Sequence, residues 1–300
     1  MNNASKPIWP NFFITGTVKG GTTSLYRHLQ KHPDVFLPAF KEPHYFARIQ
    51  PKNRHLIEHI TDENTYLNLY RNSRTFTAVG DASTSNLWCR KAPERIHAVA
   101  PHARIIILLR DPISRAHSHY LMEFREGLVN QSFSVDLLHN DFSQSRKGLG
   151  ISHMYVDLGL YYEQVRRYLQ IFGKDQVLIL QFDDLVQEPS LTLKKVAAHL
   201  HIDPKPFQEL DLSEIHNGFK APRNNWARRC AASPAARWIG YHLIPRNLQW
   251  WLYQNMILKS AAKPQVEPNV RQYLQDIYTP DIEKLEALLE HKMPTLRSSW

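Results

Sequence analysis

Short apolar runs alternate with amphipathic stretches through the first two thirds of the chain, and that alternation predicts its architecture. Residues 11–15, 76–79, 105–109 and 177–180 are short, largely apolar runs of the kind that form strands buried on both faces. Helical spacing lies between them. It appears at 22–30, where Leu25 and Leu29 share a face, and at 112–126, where Asp111 is placed to cap, Pro112 takes the first helical position and Gly127 ends the helix. Further helices are expected at 157–172, ending at Gly173, at 190–200, capped by Ser190, and at 280–289. Strands alternating with helices predict an α/β protein of three layers, with a central, largely parallel sheet flanked by helices. From residue 201 onward the chain is richer in proline and tryptophan, and the pattern sets no topology there.

Composition narrows the ligand more than the fold. Three hundred residues with 43% hydrophobic content can bury one large core, so a single domain over 1–300 is expected, with its core at about 11–200 and a helical and loop region at about 201–300. The 37 Lys and Arg against 28 Asp and Glu leave a formal charge of +9, which favours phosphate, sulfate, acidic glycans or nucleic acid. Cys89 and Cys230 are the only cysteines and form no C-x-x-C pair, so neither a disulfide framework nor a thiolate zinc site is expected and a reducing, cytoplasmic setting fits. Residues 1–10 lack the apolar run of a secretory signal. Arg237, His242, Pro245, Arg246 and Gln249 interrupt the apolar stretch 235–258, so it reads as a buried or interfacial helix pair rather than a transmembrane segment, leaving peripheral membrane contact open. Trp226, Trp238, Trp250 and Trp251 are expected to pack in the core, and nothing indicates an oligomeric state.

The glycine-bearing segment 16–24 joins the first strand to the first helix, where loop amides and a helix N-terminus can surround an oxyanion. Gly16 and Gly21 have the spacing of a nucleotide triphosphatase loop, but position 22 is Thr where the phosphate-gripping lysine belongs. The lysine stands at position 19 instead, where it can approach the bridging oxygen between a phosphate and its leaving group. Taken alone, the segment could also be a plain glycine turn.

Three separated motifs resemble the sulfotransferase family, especially the branch of heparan sulfate sulfotransferases and their bacterial relatives. Lys19-Gly20-Gly21-Thr22-Thr23-Ser24 is similar to the family's loop for a 5′-phosphosulfate, Lys41-Glu42-Pro43-His44-Tyr45-Phe46 to its acidic acceptor-side motif, and Leu109-Arg110-Asp111-Pro112 through Ser118 to its 3′-phosphate site. The likeness spans at least 11–120 and implies a P-loop-like fold. It implies 3′-phosphoadenosine 5′-phosphosulfate (PAPS) as co-substrate, adenosine 3′,5′-bisphosphate as product, and no required metal. Phe219, Lys220 and Arg223 would close over the nucleotide, although Phe219-Lys220-Ala221-Pro222-Arg223 departs from the Lys-Gly-Arg form common in the heparan sulfate branch.

The residue chemistry agrees with that resemblance. Arg110 directly follows a strand, at the carboxyl edge where open α/β sheets place ligands, and its planar fork suits phosphate. Ser118 shares a helix face with Ser114 and Asp111, so its hydroxyl can complete a second anion site. Pro43 disfavours the α conformation at Glu42, which is expected to be extended. The resemblance makes Glu42 the general base, ahead of His44, and Lys19 the group that offsets leaving-group charge; Lys41 would hold the acceptor or the sulfuryl oxygens. Glu42 could equally be an ion-pair partner of Lys41. Asp81 lines the acceptor side or caps a turn, and His117 and His119, on different sides of one helix, are ordinary helix residues. The expected acceptor is a carbohydrate or small-molecule hydroxyl, less readily an amine, with no nucleic acid partner. A nucleotide kinase with an irregular glycine loop, and a non-enzymatic basic module for glycans or nucleic acid, are the alternatives.

Overall fold

The computed structural model describes residues 7–48, 59–144, 153–210, 220–224, 233, 244–245, 248 and 251–300. Five parallel strands form its sheet: β1 (Phe12–Gly16), β2 (Val35–Phe36), β3 (Ala78–Ala82), β4 (Arg104–Leu109) and β5 (Val177–Gln181), in the order β2-β3-β1-β4-β5. The apolar runs are unbroken because helices cover both faces. On β4, Ile105, Ile107 and Leu109 face one core and Ile106 and Leu108 the other, and on β1 Phe13 opposes Phe12 and Ile14 in the same way. One core is closed by α1 (Thr22–Gln30) and α9 (Pro189–Leu200). The other is closed by α5 (Pro112–Arg125), α7 (Tyr161–Phe172) and the long helix α11 (Pro268–Leu289).

Strand order fixes the location of a ligand crevice. From β1 the chain moves outward to β2, returns to β3 beside β1, and then crosses to β4 on β1's opposite flank. Connections leaving β1 and β4 therefore part in opposite directions at the sheet's carboxyl edge, the switch point at which open α/β sheets bind ligands. The loop after β1 and Arg110 after β4 both stand there.

Several expectations need correction. The third strand begins at Ala78 because Phe76 closes a turn, its N–H bonding the Ser73 carbonyl at 3.1 Å. Ser190 is not the cap of α9; Pro189 takes the first turn, and Glu188 precedes it without a side-chain cap. Residues 157–159 form a separate 3-10 turn, and α7 starts at Tyr161 because the remote Asp281 carboxylate accepts the N–H groups of Tyr161 at 2.6 Å and Tyr162 at 3.1 Å. Asp281→Ala is expected to lower unfolding stability by about 1–2 kcal/mol, the usual cost of losing a cap, read as a lower urea midpoint. The last helix starts at Pro268, not at Pro280, which lies inside it. The fully buried stripe Val270, Leu274, Tyr278, Ile282 and Leu285 runs through that proline, so tertiary packing holds the helix together across a normally unfavourable residue.

The sequence pattern did not indicate the two-residue edge strand β2 or the antiparallel pair β6 (Lys220–Pro222) and β7 (Leu258–Ser260). Trp251 is 53% exposed rather than packed in the core. Trp226, Trp238, Trp250, Phe219 and Cys230 lie outside the described residues, as does most of 235–258. Among the described residues, no helix is long and apolar enough to cross a membrane.

Candidate active site

The glycine loop is drawn against the sheet by two amides: Thr17 N–H donates to the Leu108 carbonyl of β4 at 2.7 Å, and Gly20 N–H to the Thr17 carbonyl at 2.9 Å. Gly21 then begins α1 with φ 89°, in the left-handed region that favours glycine. A Cβ there would stand 2.5 Å from Cδ2 of Phe182, at the start of α8 (Phe182–Gln187). The same ring also meets charge, since the Arg110 guanidinium lies 4.3 Å from the Phe182 ring centroid. Through their contacts with Phe182, Gly21 and Arg110 join the loop after β1 to the strand ends of β4 and β5. Thr22, Thr23 and Ser24 occupy the first turn of α1; Ser24 N–H bonds the Gly21 carbonyl at 3.0 Å, while the amides of Thr22 and Thr23 have no preceding helical turn to satisfy them.

Arg110 and Lys19 meet directly. Arg110 Nη1 donates to the Lys19 carbonyl at 3.0 Å, and the Tyr161 hydroxyl steadies the Arg110 carbonyl at 2.7 Å. Asp111 caps α5 as expected, accepting Ser114 N–H at 2.7 Å, and also receives the Ser299 hydroxyl at 2.6 Å. Lys19 is half-buried with a left-handed backbone (φ 63°), and its ammonium approaches the Met122 sulfur at 3.8 Å. Thioether sulfur is a weak acceptor. Burial, reinforced by Arg125 and Arg110, lowers the Lys19 pKa to about 8, with Glu42 acting in the opposite direction. An ammonium in this position gains strongly from any anion that enters.

The charge that acts on Lys19 in the opposite sense belongs to Glu42. Glu42 pairs with Lys41 through one carboxylate oxygen, while the other accepts the Thr84 hydroxyl at 2.9 Å and lies 3.5 Å from His44 Nε2. Burial opposes its ionisation, but the charges of Lys41 and His44 and the hydrogen bonds from Lys41 and Thr84 prevail, so Glu42 stays below the ordinary carboxylate range. Its side chain remains 30% exposed, open to a substrate. The expectation of an extended backbone at Glu42 is not met: φ is 61°. Pro43 closes the right-handed helical region to its predecessor, and the left-handed turn brings the carboxylate onto Lys41 and Thr84 together. His44 is buried, with Nδ1 2.7 Å from Ser85 Oγ, and its pKa is lowered chiefly by burial.

Asp81 lies inside β3 rather than at a turn, fully buried, and accepts the Tyr66 hydroxyl at 2.8 Å. Burial raises its pKa to about 6. His117 packs near Phe133 and Tyr120, and His119 against Tyr155 and 3.4 Å from Glu123, on different sides of α5 as expected. Arg223 is bound to its neighbouring segment: its Nη2 donates to the Asn255 carbonyl at 2.8 Å, and its N–H to the Ile257 carbonyl at 2.9 Å. Lys220 is held in the register of β6, opposite Ser260.

Residues not anticipated from the sequence are Phe182, Thr84, Met122 and Lys263. Phe182 carried a usable signal, standing two residues beyond the end of the strand predicted at 177–180. Lys263, whose Nζ donates to Ser118 Oγ at 3.0 Å, carried none, because 145 positions separate the pair.

The fold and this site define an α/β protein with a cationic cluster between a strand-to-helix loop and an arginine at the neighbouring strand end. A family model described as the sulfotransferase family matches residues 10–206, and the chain belongs to that family. It is similar to human carbohydrate sulfotransferase 15, 26% identical over 280 residues, covering 73% of this chain and 47% of that protein. It also resembles mouse heparan sulfate glucosamine 3-O-sulfotransferase 3A1, 29% identical over 200 residues, covering 65% of this chain and 46% of that one. The chain thus matches about half the length of these curated relatives. A solved sulfotransferase from Alicyclobacillus acidocaldarius superposes with a TM-score of 0.73 at 27% identity, covering 97% of this chain and 99% of that one.

Proposed function

We propose that this chain transfers a sulfuryl group from PAPS to a hydroxyl of a carbohydrate acceptor. The observation that carries this reading is the 3.0 Å bond from Arg110 to the Lys19 carbonyl, which unites two cationic groups at the sheet's switch point. PAPS bears a 5′-phosphosulfate and a 3′-phosphate, and the loop and Arg110 offer one anion grip for each. The names of the two curated relatives favour a carbohydrate acceptor, and the net charge of +9 suits a glycan that is itself anionic.

In the proposed reaction the Glu42 carboxylate takes the acceptor proton as the acceptor oxygen attacks sulfur. The bond between sulfur and the bridging phosphate oxygen breaks, and its electron pair leaves with adenosine 3′,5′-bisphosphate. Lys19 and the loop amides meet the charge that builds on that oxygen. Lys41, paired with Glu42 before substrate arrives, turns to the sulfuryl oxygens. Losing that partner makes Glu42 a stronger base when a base is needed. Positioning and charge stabilisation dominate, as in phosphoryl transfer.

Titration calorimetry with adenosine 3′,5′-bisphosphate is the first test, followed by labelled PAPS offered with glycan, lipid and phenolic acceptors. Heat with the bisphosphate and label transferred to a glycan are expected; absence of bisphosphate binding removes the proposal. Family membership and the Thr at position 22 leave the nucleotide kinase reading without support.

A further inference from the structure

The charge of the chain is unevenly spread. From 215 to 266 the sequence holds eight Lys and Arg and no Asp or Glu, so this stretch carries nearly all of the formal charge of +9, and four of the seven tryptophans fall within it. Exposed apolar side chains gather in the same stretch. Six large hydrophobic residues are exposed among the described residues, and three of them, Leu248 (47%), Trp251 (53%) and Met256 (60%), stand close together in sequence.

The opposite side of this segment holds it to the protein. The Tyr253 hydroxyl donates to Glu126 Oε1 at 2.8 Å, and Leu258, which opens β7, is buried. Glu126 is also paired with Arg125 at 3.1 Å. Cations are fixed beside the exposed residues by the β6–β7 pair, where Ala221 lies opposite the exposed Lys259. Arg223, also exposed, bonds the Asn255 carbonyl through its guanidinium rather than a carboxylate, and Asn255 Nδ2 in turn donates to the Trp251 carbonyl at 2.8 Å.

Apolar exposure and positive charge on one segment select the partner. A hydrated polyanion such as a glycan would satisfy the cations but leave leucine and methionine side chains in water, where their exposure is unfavourable. A lipid surface takes both: Trp, Leu and Met enter the boundary between headgroups and acyl chains, and Lys and Arg meet acidic headgroups. We infer that the face bearing Leu248, Trp251 and Met256, with Arg223 and Lys259, docks on an anionic lipid surface. The inference is independent of the transfer reaction proposed above.

Flotation of the full chain with phosphatidylcholine vesicles, prepared with and without phosphatidylglycerol, tests it. Binding is expected to the anionic vesicles and not to phosphatidylcholine alone, and it should weaken as salt is raised. Trp251→Ser combined with Met256→Ser should weaken vesicle binding at least about tenfold, since it removes the buried apolar contact. Lys259→Gln should weaken it about fivefold, the contribution of one cation near a charged surface. Both changes lie at exposed positions, so melting temperatures and heat of binding adenosine 3′,5′-bisphosphate should stay at their wild-type values. Vesicle binding that survives the Trp251 and Met256 changes intact overturns the inference, as does absence of binding to either vesicle. In the latter case, retention on heparin lost with Lys259→Gln would assign the face to a glycan, and a concentration-dependent dimer broken by the Trp251 and Met256 changes would assign it to a second copy of the chain.

Discussion

Lys19→Ala lowers kcat for sulfuryl transfer about 10²- to 10³-fold, the range seen when one group stabilising transition-state charge is removed. Its effect on folding is small, because the ammonium contacts Met122 sulfur and forms no ion pair among the described residues, so nothing charged is orphaned when it goes. The pH profile carries the same signature. With a pKa near 8 in the free protein, Lys19 is cationic below that pH and neutral above it. Donor anions bind the cationic form, so kcat/KM for PAPS should fall as pH rises through about 8. Bound nucleotide raises that pKa, so kcat at saturation should hold to higher pH than kcat/KM. Steady-state rates from pH 6 to 10, with circular dichroism melts of the variant, would check both statements; an alanine variant with wild-type kcat ends the role assigned to Lys19.

Glu42→Gln is the second large effect. Glutamine keeps the size of the side chain and its approach to Thr84 but cannot take a proton, so kcat should drop about 10²- to 10⁴-fold while donor affinity changes little. Glu42→Asp should recover part of the rate, since a carboxylate one methylene shorter remains a base. The contest with His44 is settled by the same measurements. His44 Nδ1 is held against Ser85 and its amide against Ser83 at 3.1 Å, so His44→Gln should act mainly through the placement of Glu42 and cost less than Glu42→Gln. A Glu42→Gln enzyme with full kcat, or a larger loss from His44→Gln, would reverse the assignment.

What could be read from the chain before its structure was known follows a physical division. Continuous apolar runs such as 105–109 and the Asp111-Pro112 start are local signals, and they located β4, α5 and Arg110 between them. Family motifs reached Lys19 and Glu42 because these stand close in sequence to glycines or a proline that constrain the backbone. Contacts made by tertiary packing left no such trace. Pro280 reads locally as a helix start, and only the buried stripe of α11 on both sides shows that it is not. Asp281 capping α7 from 120 positions away is invisible in either segment alone. The left-handed turn at Glu42 follows from Pro43 only once Lys41 and Thr84 are seen to hold the carboxylate from two sides.

The two halves of the site rest on foundations of unequal stiffness. Lys19 and Arg110 follow β1 and β4, central neighbours in the sheet, whereas Glu42 and His44 follow β2, an edge strand of two residues, on a segment with φ 61° and 54° at those positions. Exchanging the segment around Glu42 and His44 for one of different shape would therefore leave the loop after β1 and Arg110 in place. For anyone seeking to redirect such an enzyme toward a new acceptor, the edge of the sheet is where tailoring disturbs least.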